Sequence, residues 1–250
     1  MDPLLAFASS KQKDIIASIQ RMVECESPSD DAAAVNRFVD LFAAEVKDIG
    51  TLKTMPGGKF GKHARIDFAT PGPKRRDGMI LGVGHSDTVY PLGILRQMPF
   101  RHHGGRLFGP GVLDMKAGLA FCVWAVRALR ELDIPIRRNV ALHMVSDEEV
   151  GSETSRPLTE KAAKASTAVL VLEPGTGFDG KLKTARKGVG DYTIRILGKA
   201  AHAGVDFTSG ASAILELARQ IEKIAAFTNL PRGTTVNPGV ISGGTRTNVI

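Results

Sequence analysis

Four short motifs in this chain gather residues that hold cations or move protons. They are "GHSDTVYP" with His85 and Asp87, "GPGVLDMKAG" with Asp114, "VSDEEVGS" with Asp147, Glu148 and Glu149, and "LEP" with Glu173. Adjacent carboxylates repel, so the acids at 147–149 either stand solvated in a loop or meet positive charge. An acid run at a strand end is ordinarily a solvated loop. The other motifs tip the reading towards a site. His85 and Asp87 are spaced i, i+2, which in extended chain puts both on one face. A metal-bound histidine commonly donates its second ring N–H to a carboxylate, which fixes the tautomer. Asp114 lies in a glycine-rich turn ahead of a helix, where aspartate also serves as a cap. Glycines at 109, 111 and 118 let backbone come close to an ion. One histidine among several carboxylates is a donor set for zinc, cobalt or manganese. Two such ions about 3.5–4 Å apart can share a water and sharpen it as a nucleophile. A carboxylate left over can take its proton and pass it to a leaving amine.

These residues need elements to place them. Ile15 to Glu26 carries a helical apolar stripe, and a second helix is expected over Asp31 to Ile49 behind the "SPSD" cap signals. "PGPKRRDG" at 71–78 reads as a loop. "MILGVGH" at 79–85 reads as a buried strand ending on His85. A strong helix is expected at 117–133, and strands at 139–146 and 167–172. Apolar strands alternating with helices predict an α/β sheet with helices on its faces and strands buried on both sides. In such sheets function collects at the carboxyl ends of strands, where His85, the acids at 147–149 and Glu173 all fall.

Beyond "EPGTGFDG" (173–180) the pattern changes. Gly188 to Gly198 and Thr234 to Ser242 alternate like strands, with an amphipathic helix at 209–227 between them. This is expected to begin a smaller second domain.

Composition is that of a globular protein: 250 residues, 43% apolar and 24% charged. No apolar run approaches a membrane span. The start, "MDPLLAFASSKQKD", lacks the basic opening and long apolar centre of a secretion signal, so a cytoplasmic location is expected. Net charge is +7, but the basic residues are scattered in short clusters (74–76, 137–138, 181–187) without interleaved aromatics. That argues against a nucleic-acid partner. Cys25 and Cys122 have no metal-type or redox-type spacing and are expected to be reduced.

Taken with "GKAAHAG" and "GGTRTNVI", the motifs resemble the M20 family of metallopeptidases, in the branch of glutamate carboxypeptidases and their aminoacylase relatives. The resemblance runs from about residue 15 in the family's order and spacing. It implies a zinc-peptidase catalytic domain with a mixed sheet over 1–183, and the start of an α+β dimerisation (lid) domain over 184–250. It implies two Zn2+ ions, with Co2+ or Mn2+ as substitutes. His85 and Glu173 would hold one ion, Glu149 the other, and Asp114 would bridge them. Glu148 would be the general base and Asp87 would orient His85. His202 would reach the partner subunit's active site in a homodimer and polarise the scissile carbonyl. Arg246 and Asn248 would grip a substrate carboxylate, a task suited to the planar guanidinium. The family's second ion takes one more histidine, which the resemblance places beyond Ile250. One site is therefore expected to lack a ligand here, and the chain is expected to be a piece of a longer enzyme. Asp147 reads as a turn or hydrogen-bonding residue. His63, His102, His103 and His143 match no ligand and read as surface or strand residues.

The implied activity is hydrolysis of the amide bond to a C-terminal amino acid of glutamate type, on a small peptide substrate with a free carboxylate. N-acyl amino-acid deacylation uses the same ligands and stands as the alternative. A non-catalytic metal-binding scaffold is the other. Glu148 argues against the scaffold, because a general base has no use in a pure binder.

Overall fold

The computed structural model describes residues 1–74 and 76–250; Arg75, in the basic cluster at 74–76, lies outside the described residues. Two compact units result, Met1–Leu182 and Lys183–Ile250.

The first unit contains α1 (Pro3–Ser10), α2 (Gln12–Glu24), α3 (Ala32–Val46), β1 (Gly50–Pro56), β2 (Lys62–Phe68), β3 (Met79–His85), β4 (Arg101–His103), β5 (Arg106–Phe108), α4 (Ala117–Glu131), β6 (Asn139–Val145), α5 (Arg156–Lys164) and β7 (Ser166–Val171). Among the described residues, five strands form one sheet in the order β1-β2-β6-β3-β7. β1–β2 and β2–β6 are antiparallel, while β6–β3 and β3–β7 are parallel. The sheet is therefore mixed, and its three parallel strands are those that lead to the acidic motifs. β4 and β5 form a separate ribbon, with His102 and His103 exposed on it.

Periodicity explains the layering. The stripe Ile19, Met22 and Val23 of α2 is buried, as are Phe38, Val39 and Phe42 of α3 and Leu119, Ala120 and Val123 of α4. They share one core with Ala64, Ile66, Leu142 and Met144 from one face of β2 and β6. The alternate residues His63 and His143 point to the other face, as the period of two requires, and both are buried there. α3 starts where Asp31 accepts the Ala34 backbone N–H at 2.8 Å. The β1–β2 turn closes through Gly57 N–H donating to the Gly61 carbonyl at 2.7 Å, with Gly61 at φ +87°.

Burial on both faces holds for the inner parallel strands but not for β7. It is an edge strand, and Val169, Leu170 and Val171 are 41, 56 and 62% exposed. An apolar run alone does not distinguish an inner strand from an edge one.

In the second unit the expected helix forms as α6 (Ala213–Ala225), capped by Ser212 accepting the Leu215 N–H at 3.2 Å. The strands expected at 188–198 and 234–242 do not form. Alternation marks a face that can be buried, but a strand exists only where a neighbour satisfies its backbone. Here Val189, Tyr192 and Leu197 remain exposed, and the described residues of this unit pair only through isolated bridges. Among the described residues, no helix is long and apolar enough to cross a membrane.

Candidate metal centre

Strand register brings the acidic motifs level with one another. His85 lies opposite Val145, so the turn following β6 stands beside the segment following β3. Val83 lies opposite Val171, and the Leu172 N–H donates to the Val83 carbonyl at 2.9 Å, which brings Glu173 level with His85. The fourth contributor, Asp114, rides on the turn before α4. Gly111 supports that turn at φ +66°, and the Lys116 N–H closes it on the Gly111 carbonyl at 3.0 Å. Lys116 is buried; its Nζ donates to the Cys25 carbonyl at 2.8 Å and sits 4.8 Å from the Phe38 ring centre. That contact pins the end of the Asp114 turn to the core. Gly118 lets α4 begin against β7's end, since a Cβ there would lie 2.0 Å from the Leu172 carbonyl oxygen.

The buried His85 ring is the centre of the cluster. Its Nδ1 faces two acceptors on Asp87, the backbone carbonyl at 2.9 Å and carboxylate Oδ1 at 3.4 Å. Nδ1 must therefore carry a proton, and Nε2 is the atom turned to the acids. Nε2 lies 2.9 Å from Asp114 Oδ1 and 3.4 Å from Glu173 Oε1. Burial works against a charged ring, yet hydrogen bonds and charge from Asp87 and Glu173 outweigh it and push the His85 pKa up to about 11. Nε2 is thus the ring atom that faces the negative charge of two carboxylates.

The donor atoms form two overlapping triplets, His85–Glu148–Glu173 and His85–Asp114–Glu149, each with all atoms within 4.8 Å of one another. Glu148 keeps company with the His85–Glu173 pair as well as following the strand end. Its carboxyl pKa is raised by partial burial; His85 opposes the rise, while Glu173, Asp87 and Asp114 add to it. The Glu149 pKa is raised by burial and by Asp114, with His85 again opposing. Carboxylates that crowd one imidazole and hold each other's protons on suit a divalent cation. The donor set, one nitrogen and several carboxylate oxygens, fits zinc.

Asp87 is buried and serves both sides of the cluster. Its carboxylate accepts the backbone N–H groups of Glu148 at 3.4 Å and Glu149 at 3.2 Å, and the Ser29 hydroxyl at 2.7 Å. Reading the sequence missed Ser29 and Lys116. "ESPSDD" and "LDMKAG" carry a turn signal and a helix start, but nothing in them shows what the hydroxyl or ammonium reaches.

The structure brings His85, Asp87, Asp114, Glu148, Glu149 and Glu173 together. His202, Arg246 and Asn248 belong to the second unit. There His202 bridges to Val249, and the Ala203 N–H donates to the Asn248 carbonyl at 3.0 Å, so His202 and Asn248 are neighbours. The Val249 N–H donates to the Arg246 carbonyl at 3.2 Å, closing a turn that carries Arg246. His202 Nδ1 accepts the N–H groups of Gly204 and Val205, both at 3.1 Å. In the neutral ring that leaves the proton on Nε2.

Residues 81–246 match the profile of peptidase family M20/M25/M40. The chain belongs to this family. It is thus a member of a family of metal-dependent peptidases, with candidate metal-binding groups where the parallel strands end. The M20 chain is 29% identical over 248 residues to carboxypeptidase G2 of Pseudomonas sp. (strain RS-16), covering 99% of itself and 59% of that protein. It is 31% identical over 180 residues to acetylornithine deacetylase of Myxococcus xanthus, covering 67% of itself and 45% of that protein. Its fold is similar to that of aminopeptidase PepT from Bacillus cereus, with a TM-score of 0.70 at 21% identity over 95% of this chain and 63% of that one. The M20 chain therefore spans about 60% of the length of the proteins that it matches over nearly its whole length.

Proposed function

We propose that this chain carries most of the active site of a zinc-dependent hydrolase that cleaves the amide bond to a C-terminal amino acid of glutamate type. The observation that carries the reading is the convergence on His85 Nε2 of carboxylates from Asp114 and Glu173, with Glu148 and Glu149 in the same cluster. His85, Asp114 and Glu173 would hold one ion, and Asp114 with Glu149 would contribute to a second. Bound there, zinc supplies Lewis acidity, polarising a carbonyl and lowering the pKa of water.

The chain's own residues do the rest. Asp87 holds the Nδ1 proton of His85 and so keeps the Nε2 lone pair for a ligand. Glu148 takes the proton of the attacking water and delivers it to the leaving amine. Its raised pKa suits that exchange, because a base works best when its pKa lies near the operating pH. In the assembled homodimer, His202 donates its Nε2–H to the scissile carbonyl oxygen. Arg246 and Asn248 bind the free carboxylate of the substrate, the guanidinium pairing with both oxygens. Residues 1–183 are the catalytic domain in this reading, and 184–250 belong to the dimerisation domain.

The likeness to carboxypeptidase G2 supports a carboxypeptidase, and that to acetylornithine deacetylase supports N-acyl amino-acid deacylation as the second reading. A substrate panel on purified zinc-loaded protein separates them. Release of glutamate from dipeptides and from aryl amides of glutamate is expected, with acetyl and formyl amino acids turned over at least about 10-fold more slowly. The reverse ranking selects the deacylase. Glu148→Gln is expected to lower turnover by about 10²- to 10⁴-fold while zinc still binds. A variant that binds zinc and turns over at the wild-type rate excludes Glu148 as the base.

A further inference from the structure

A chain of hydrogen bonds through buried and half-buried residues also holds the loop that carries Glu148 and Glu149. It starts at His63, which is 0% exposed and is the second residue of β2. His63 Nδ1 accepts the Ser146 backbone N–H at 3.1 Å, so this nitrogen carries no proton. The Ser146 hydroxyl lies 2.9 Å from the same nitrogen. The ring proton is therefore on Nε2, 3.0 Å from Thr154 Oγ1. The Thr154 hydroxyl faces two acceptors, Asp147 Oδ2 at 2.8 Å and the Gly57 carbonyl at 3.4 Å, and gives its proton to the nearer, charged one. Each hydroxyl has one proton to give, so the direction is fixed: His63 Nε2–H to Thr154, and Thr154 O–H to Asp147.

Asp147 closes the circuit. Its Oδ2 also accepts the backbone N–H groups of Thr154 at 2.6 Å and Ser155 at 3.2 Å, and its carbonyl accepts the Ser152 N–H at 2.7 Å. Asp147 is 0% exposed. A buried carboxylate held by neutral donors is costly unless it fixes something, because each donor must be held in place to satisfy it. What it fixes is the loop 147–155, which carries Glu148 and Glu149. Asp87 grips that loop at Glu148 and Glu149, and the His63–Thr154–Asp147 chain grips it at Asp147 and Thr154.

The geometry points to His63, Thr154 and Asp147 as positioning residues that hold Glu148 and Glu149 in register with His85. This inference rests on the metal-hydrolase reading for its consequence, but its structural claim can be read without any metal. The three residues touch neither substrate nor donor atoms in this role. They act through the loop backbone.

The test compares the 250-residue chain with Thr154→Val, which keeps the shape and removes the hydroxyl with its bonds to His63, Asp147 and the Gly57 carbonyl, and Thr154→Ser, which keeps them. Amide hydrogen exchange is read without metal, and zinc affinity by competition with a chromophoric chelator. In Thr154→Val, exchange at 147–155 is expected to quicken by at least about 10-fold while β3 and β6 keep wild-type protection. Zinc affinity is expected to fall by about 10- to 100-fold, the scale for losing an orienting partner behind a ligand. Thr154→Ser is expected to restore both to within about 3-fold. His63→Leu removes the first link and is expected to behave as Thr154→Val does. Unchanged exchange at 147–155 overturns the proposal. Faster exchange throughout, or loss of folding in both variants, assigns the chain of bonds to the core and also overturns it. Wild-type protein that binds no zinc would instead overturn the metal-hydrolase reading, and the exchange pattern would still decide this one.

Discussion

The Glu149 backbone N–H donates to the Asp87 carboxylate at 3.2 Å, so the residue that orients His85 also holds the acidic turn. Asp87 Oδ1 faces His85 Nδ1 at 3.4 Å, and Oδ2 takes the Ser29 hydroxyl at 2.7 Å. One buried carboxylate thereby couples the carboxyl end of β3 to that of β6. Asp87→Ala frees the turn and leaves the ring held at Nδ1 by the residue-87 backbone carbonyl alone. Zinc affinity is expected to fall by about 10- to 100-fold, read by chelator competition. Ser29→Ala leaves the carboxylate in place and is expected to cost only a few-fold. Equal zinc affinities in wild type and Asp87→Ala would sink this account.

Gly118 offers a test in which two effects have opposite signs. Alanine in place of glycine within a helix ordinarily stabilises by up to about 1 kcal/mol. Here the added Cβ would lie 2.0 Å from the Leu172 carbonyl oxygen, which is backbone and cannot swing aside. Overpacking of this kind costs about 1–3 kcal/mol, so the clash wins. Gly118→Ala is expected to lower the urea midpoint and to weaken zinc binding, because α4 and Glu173 must move apart. A raised midpoint would show that the close approach is not made in solution.

Much of this arrangement was legible in the sequence, for a physical reason. "MILGVGH" forms β3 over Met79–His85, and the strands expected at 139–146 and 167–172 form within two residues of those bounds. Inner parallel strands are apolar runs, and a run ending on a histidine or acid announces a strand end. β2 gave no such signal, because "KHARIDF" mixes Lys62, Arg65 and Asp67 with a buried face. The positioning residues were hidden for another reason. His63 and Thr154 are 91 residues apart, and only the fold shows that they meet. The strands expected in the second unit failed because alternation describes one segment and a ladder requires two.

Metal binding has a stability signature of its own. A ligand that binds only the folded state stabilises by about 2.7 kcal/mol at 100 times its Kd. For a unit of this size that corresponds to roughly 5–10 °C in melting temperature. Zinc is expected to raise the melting temperature by this much, and a chelator to reverse it. His85→Ala, which removes the nitrogen at the centre of both donor triplets, is expected to abolish the rise. A zinc-induced rise that survives His85→Ala would place the ion elsewhere.

His143 sets a pH dependence that is independent of the donor cluster. It is buried on β6, and among the described residues its Nε2 has no hydrogen-bond partner. Burial pushes its pKa from the ordinary 6.5 down to about 4, with the charges of His63 and Arg65 adding to the shift. The folded chain therefore keeps His143 neutral, while the unfolded chain binds a proton as pH falls below about 6.5. Between those two values the unfolded state holds more protons, so stability falls with acidity. At about 1.4 kcal/mol per unit of pKa, the loss attributable to His143 approaches roughly 3 kcal/mol by pH 4. His143→Leu carries no proton in either state, and its urea midpoint is expected to fall less than that of wild type between pH 7 and pH 5. Parallel slopes for the two proteins would mean that His143 is solvated or partnered in the folded chain.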